Sequence, residues 1–194
     1  MMPGGHLATS IALSGIIYAS SGSIEAATGC IAGGFLIDVD HYLDYLVFEK
    51  QWRRPGPISF LRYYFGNNPK KVVLPLHSAE LMAILLLVIV WHPTMLLLGY
   101  WFGALMHLYF DVLVNGDYVL RDPIRFYVFS YRAVHRFSAE KLLDLNISVA
   151  GGRAPIREFF SWRPVVNEES DWPTVGAVYD RPQCAGSLSL RERD

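Results

Sequence analysis

The chain is short of charge, of cysteine and of basic residues near its start. Charged side chains make up 18% of its 194 residues and sum to −1. No net field therefore argues for a nucleic acid or an acidic partner. The two cysteines, Cys30 and Cys184, lie far apart, one in a glycine-rich apolar run and one in a polar stretch. That suggests neither a disulfide framework nor a zinc ribbon, and fits a reducing compartment. No lysine or arginine precedes Lys50, so the apolar start lacks the basic leader of a secretory signal and reads as part of the mature fold.

What the chain has in abundance is apolar surface: 52% hydrophobic residues and a mean hydropathy of +0.24. Residues 7–19 and 24–46 are two apolar stretches separated by Ser20-Ser21-Gly22-Ser23. Small residues such as Gly15, Gly29, Gly33 and Gly34 suit close helix–helix approach. The Gly29-x-x-x-Gly33 spacing alone is too common by chance to carry weight. Residues 47–75 change character, with turn signals at "EKQWRRPGP" and "NNPKK" and six basic residues against the single acid Glu49 between positions 49 and 71. From Leu81 to Phe110 there is no Asp, Glu, Lys or Arg. Pro93 breaks that run, which predicts one helix over 76–91, about 24 Å long, and another over 94–114. Basic residues return at Arg121, Arg125, Arg132 and Arg136.

These features predict an all-α fold, a membrane-embedded bundle of about four apolar helices over residues 1–149. The charge bias places the 47–75 loop and the C-terminal part on the cytoplasmic side of a multi-pass inner-membrane protein. A soluble helical protein with an unusually apolar core is the other fit. Residues 150–194, rich in Pro, Gly, Ser and charge, read as an extended, partly disordered tail.

Three polar clusters interrupt the apolar segments: "IDVDHYLDY" with Asp38, Asp40, His41 and Asp44; "PLHSAEL" with His77, Ser78 and Glu80; and "MHLYFD" with His107 and Asp111. His6 is a fourth candidate. On a helix, His107 and Asp111 share a face at i and i+4, as do Asp40 and Asp44, while Asp38 and His41 are i and i+3. Neutral imidazoles and carboxylates together are what divalent metals take as ligands. A cation also offsets the cost of burying such groups among apolar helices. Each motif has a plainer reading as well. His107 and Asp111 could be a hydrogen-bonded structural pair, and Asp44 reads as the solvated end of a helix. His92 reads as a turn residue before proline and His135 as surface. Ser78 lacks a base partner and reads as a helix cap.

In order and spacing, His6, the glycine-rich stretch running into Asp38-Val-Asp40, His77-Ser78, Gly99-Tyr100 and His107-x-x-x-Asp111 resemble the bacterial membrane-bound metal-dependent hydrolases, the YdjM-like group. That family is considered a distant relative of the zinc-dependent phospholipases C. The resemblance covers about residues 3–115. Where the family has a proline before D-x-D this chain has Ile37, and where it has His-Arg-Gly before H-S this chain has Val72-Val73-Leu74. The resemblance implies that His6, Asp38, His77, His107 and Asp111 bind one or more divalent metals, zinc foremost. It implies a metal-activated water, with Asp40 as orienter or general base. The substrate class that follows is a phosphoester of a membrane lipid, drawn in by Arg53, Arg54, Lys70 and Lys71 if these are more than a basic membrane flank.

The rival class is a non-enzymatic membrane protein, in which the same residues hold a structural metal or carry ions or protons. A hydrolase needs a coordination position open to water, a structural site is closed by protein ligands, and a transporter needs a polar path across the bilayer. Soluble phosphohydrolases built on adjacent His-Asp are set aside, because this chain has only the reverse order, Asp40-His41.

Overall fold

The computed structural model describes residues 2–65, 69–116, 119–143 and 155–161. Among them the protein is helical throughout, and its only β pairing is two isolated bridges, Lys71 with Ser138 and Leu120 with Leu143. Helix α1 (Pro3–Ser21) starts with proline in its first turn and stops at Gly22, whose φ of 67° lets its N–H close back on Tyr18. The Ser23 side chain accepts from the Ala26 amide and opens α2 (Ile24–Phe35). Helix α5 (Ala79–Trp91) is capped by Ser78 in the same way, as expected for this serine. After Pro93, Thr94 caps α6 (Met95–Asn115). Connections this short make α1/α2 and α5/α6 two antiparallel hairpins.

The hairpins join through α2 and α6, and glycine is the reason they can. A Cβ on Gly29 or Gly33 would lie 2.1 Å from the Leu96 carbonyl oxygen or 2.0 Å from that of Tyr100. On α6, a Cβ on Gly99 or Gly103 would lie 2.0 Å from the Ala26 oxygen or 2.2 Å from the Cys30 oxygen. Contacts that rise together in number along both chains mean that α2 and α6 run parallel. The starts of α1 and α5 therefore gather at the same end as the last turns of α2 and α6. Smaller elements wrap that end: α3 (Val39–Leu43), a π-helical turn (Asp44–Phe48), α4 (Pro57–Phe65), α7 (Pro123–Phe126), α8 (Phe129–Val134), α9 (Ala139–Leu142) and α10 (Pro155–Phe159).

The apolar stretch 24–46 divides in two: α2 ends at Phe35, and a 3-10 turn (Leu36–Asp38) redirects the chain into α3. Two expectations need correction. Four membrane-length helices are not present among the described residues. Only Met95–Val114 is long and apolar enough to cross a membrane by length and composition. Helix α1 has 19 residues but is diluted by Ser, Thr and Gly, and the 13 residues of α5 reach only about 20 Å against a core of about 30 Å. Arg132, read as part of a basic flank, is wholly buried. Of the expected tail, residues 155–161 are described, and α10 lies against the start of α1, where the Phe159 carbonyl leaves no room for a side chain on Gly4. The remaining tail residues lie outside the described part.

The outer faces of α5 and α6 stay apolar and uncovered, with Leu87 63%, Val90 70%, Trp91 81% and Phe102 47% exposed. Within the candidate span only 39% is buried, whereas a core helix of a soluble domain would be mostly covered.

A candidate metal centre

His6 stands in the first turn of α1, Asp38 in the 3-10 turn after α2, Asp40 and His41 on α3, His77 in the turn before α5, and His107 with Asp111 one turn apart on α6. The structure brings all of them to one place. Ending α2 at Phe35 matters here, since a continuous helix would turn Asp40 about 200° round its axis from Asp38.

His77 and His107 point their Nε2 atoms at each other, 3.0 Å apart. Around that point, Asp38 Oδ1 lies 3.5 Å from His77 Nε2 and 3.4 Å from His107 Nε2. Asp111 Oδ2 lies 3.7 and 3.3 Å from the same two nitrogens, and His41 Nε2 is 3.6 Å from Asp38 Oδ1. Two ligands on one tetrahedral metal at about 2.0–2.2 Å sit roughly 3.3–3.6 Å apart; four of these distances fall in that range, while the two Nε2 atoms are closer at 3.0 Å and His77–Asp111 is longer at 3.7 Å. His6 Nε2 is 2.9 Å from Asp111 Oδ1, its ring is stacked on His107, and its Nδ1 is buried without a hydrogen-bond partner. Two triads able to hold a metal ion result, His6/His107/Asp111 and Asp38/His41/His77. The Asp38 and Asp111 carboxylates each reach toward both.

The partners behind the rings determine which atoms face inward. His107 Nδ1 is 2.8 Å from the Gly34 carbonyl, an acceptor only, so that nitrogen carries the proton and Nε2 is left with its lone pair. His77 Nδ1 is 3.0 Å from Asp40 Oδ2 and is held as donor in the same way. The same Asp40 oxygen accepts the amides of Leu76 and His77 at 3.0 and 3.3 Å. Two imidazole Nε2 atoms and two carboxylates thus converge, a focus that draws in positive charge, whether a proton on His77 or a metal cation. Burial alone would lower the His77 pKa; the Asp40 and Asp38 carboxylates outweigh it and raise His77 to about 9. That upward pull on a proton is the pull on any cation. His41 goes the other way: burial and the nearby His77 lower it to about 4, which keeps its imidazole neutral.

Sequence reasoning placed His41 in the first polar cluster, three residues from Asp38, but did not assign it as a ligand, whereas the structure groups it with Asp38 and His77. Tyr64 of α4, which hydrogen-bonds His41 Nδ1, had no sign in the sequence. Nor did Arg132, whose guanidinium donates to the carbonyls of His77 and Phe126 through Nη1 at 2.8 and 2.7 Å, and of Leu74 through Nη2 at 2.8 Å. These bonds hold the turn that carries His77. Glu80 ties the same region together by accepting the Phe129 and Ser130 amides at 2.8 and 2.9 Å. Asp44, expected to be solvated, is instead buried and accepts the Val73 and Leu74 amides. His92 is the exposed cap residue of α5, and His135 is half-buried against Tyr131.

A cavity of about 340 Å³ opens beside the cluster, with Asp38, His41, His77 and Asp111 in its wall. His6 and His107 stand behind that wall. Among the described residues its lining contains no lysine or arginine.

Fold and site together define a helical protein with a buried His/Asp cluster, able to hold a metal ion, at one end of two apolar hairpins. Scans of the chain against protein-family models, curated proteins and solved structures return no match.

Proposed function

We propose that the protein is a membrane-bound, metal-dependent hydrolase, with zinc at the His/Asp cluster and a phosphoester of a lipid-like molecule as substrate. One observation carries the reading: four of the cluster's side chains form part of a cavity wall, so a cation held there keeps a face open to water and substrate. A purely structural site would be closed on all sides by protein. A transport path would need charged or imidazole groups along the helices between the cluster and the hairpin tips, and residues 81–91 of α5 and 95–106 of α6 contain no Asp, Glu, His, Lys or Arg. The order of the motifs, which resembles the membrane-bound metal-dependent hydrolases, supports the same class.

In this reading His6, His107 and Asp111 hold one side of the centre and Asp38, His41 and His77 the other. A divalent cation held there supplies Lewis acidity and makes a water a usable nucleophile near neutral pH. Asp40 fixes the His77 tautomer and ring direction. Gly34 does the same for His107 through its carbonyl. Tyr64 orients His41. The uncovered faces of α5 and α6 meet lipid, α6 crosses the bilayer, and the cluster end faces the cytoplasm, where the basic segments lie.

The test is metal analysis of detergent-purified protein, wild type beside His107→Ala, Asp38→Ala and His41→Ala, followed by a phosphoesterase panel. Bound zinc in the wild type, reduced in all three variants, with metal-dependent hydrolysis of at least one phosphoester, is the expected result. Equal metal content in all four proteins would refute the ligand assignment. Metal without hydrolysis would favour a non-enzymatic role.

A further inference from the structure

The cavity says more about the substrate than the cluster does. Away from the cluster its wall is apolar: Phe35, Leu61, Val119, Leu120, Phe126 and Leu143 line it, with the hydroxyls of Tyr64 and Tyr127 and the carboxyl of Glu158 as the polar exceptions. Tyr64 is already engaged by His41. With no lysine or arginine among the described lining residues, and only the Tyr127 hydroxyl and the Glu158 carboxyl as further polar groups, the wall offers a nucleotide or sugar phosphate little beyond the cluster itself. Its volume of about 340 Å³ is at the small end of ligand pockets. At about 30 Å³ for a water-sized group, that volume matches roughly ten methylenes, one chain of that length rather than two.

We infer that the cavity receives the hydrocarbon chain of a single-chain amphiphile whose phosphoryl head lies against the cluster. This rests on the hydrolase reading above and narrows it from membrane phosphoesters in general to monoalkyl or monoacyl ones. The bilayer of the proposed membrane setting holds such molecules, so the chain exchanges one apolar surrounding for another. A diacyl lipid would have to leave its second chain outside.

The test is binding of straight-chain alkylphosphonates, methyl to hexadecyl, to zinc-loaded protein exchanged from detergent into amphipol. Phosphonates resist hydrolysis, so the measurement does not depend on activity. Affinity is expected to rise with each added carbon, by up to about fourfold per methylene, and to level off near ten carbons. Leu120→Trp and, independently, Leu61→Trp on the surface helix α4 fill the cavity. Each is expected to weaken decylphosphonate at least tenfold while leaving methylphosphonate binding and zinc content within twofold of wild type. Binding independent of chain length in the wild type, or an undiminished rise in both filled variants, would overturn the inference while the zinc content and head binding keep the hydrolase reading intact. Loss of zinc and of methylphosphonate binding from the wild type would instead remove the reading beneath it, and this inference with it.

Discussion

His77 and His107 meet nitrogen to nitrogen, Nε2 to Nε2 at 3.0 Å, and neither ring is free to turn away. The Gly34 carbonyl holds one and Asp40 the other. Two such rings in contact, with carboxylates 3.3–3.7 Å away, make an arrangement that is costly when empty and favourable when a cation fills it. Zinc is therefore expected to stabilise the folded protein by mass action, by about 2.7 kcal/mol at a hundredfold excess over its dissociation constant. Thermal unfolding with zinc and after chelation measures this, and a Tm indifferent to both would count against the centre.

Asp40 touches no cavity, yet its Oδ2 collects the Leu76 amide, the His77 amide and the His77 ring. Asp40→Asn keeps an acceptor there but removes the charge that favours the Nδ1–H tautomer. Metal affinity is expected to fall about 10–100-fold, as for other groups that orient a ligating histidine, with the helical content unchanged. Zinc titration with a competing chelator reads the difference. An unchanged affinity would show that the ring is oriented by packing alone.

Arg132 illustrates what could and could not be read from the sequence. The hairpin break at Pro93, the Ser78 cap and the i, i+4 pair on α6 were legible because each is a local pattern with a local cause. Arg132 was not, because its partners are the carbonyls of Leu74, His77 and Phe126, and every residue has a carbonyl. For the same reason residues 119–143 looked like a basic flank, whereas they form the cap that closes on the His77 turn. The break at Leu36 was also hidden, since Phe35-Leu36-Ile37 continues the apolar run. Arg132→Leu takes the donor from the buried His77 and Phe126 carbonyls, at about 1–3 kcal/mol each, while the Leu74 carbonyl keeps the His77 amide at 3.1 Å. A drop of about 3 kcal/mol or more is expected in denaturant unfolding, and Arg132→Lys, which cannot serve three acceptors in one fork, should recover only part of it.

Glycine spacing on α2 was visible but carried no weight without its counterpart, Gly99 and Gly103 on α6. Because the backbones touch, Gly33→Ala or Gly103→Ala sets a methyl about 2 Å from a carbonyl oxygen and must push the helices apart. Each is expected to cost about 3 kcal/mol, the upper end for overpacking, and to lower metal affinity, since Gly34 and His107 face each other across the same seam. Gly15 is the control, with nothing within 4 Å of its added Cβ. Gly15→Ala should leave stability unchanged or raise it by up to about 1 kcal/mol. Equal effects at Gly15 and Gly33 would dismiss the close-packed seam.

Asp44 gives a pH signature separable from the metal. Burial raises its carboxyl to about 6, although the Val73 and Leu74 amides on Oδ2 pull the other way; the opposite oxygen, Oδ1, is buried without a partner. The folded value lies above the ordinary 3.8, so the folded protein holds this proton more tightly than the unfolded chain does. Its contribution is complete below about pH 4 and is lost as pH rises through about 6. The gap of about two units corresponds to about 3 kcal/mol. Asp44→Asn keeps an acceptor for the two amides and cannot ionise. Relative to wild type, the variant is expected to gain about 3 kcal/mol between pH 4 and pH 7.5. Because acid strips metal from both proteins alike, the difference between their denaturant midpoints isolates the carboxyl. A difference that stays flat across that range would mean water reaches Asp44 after all.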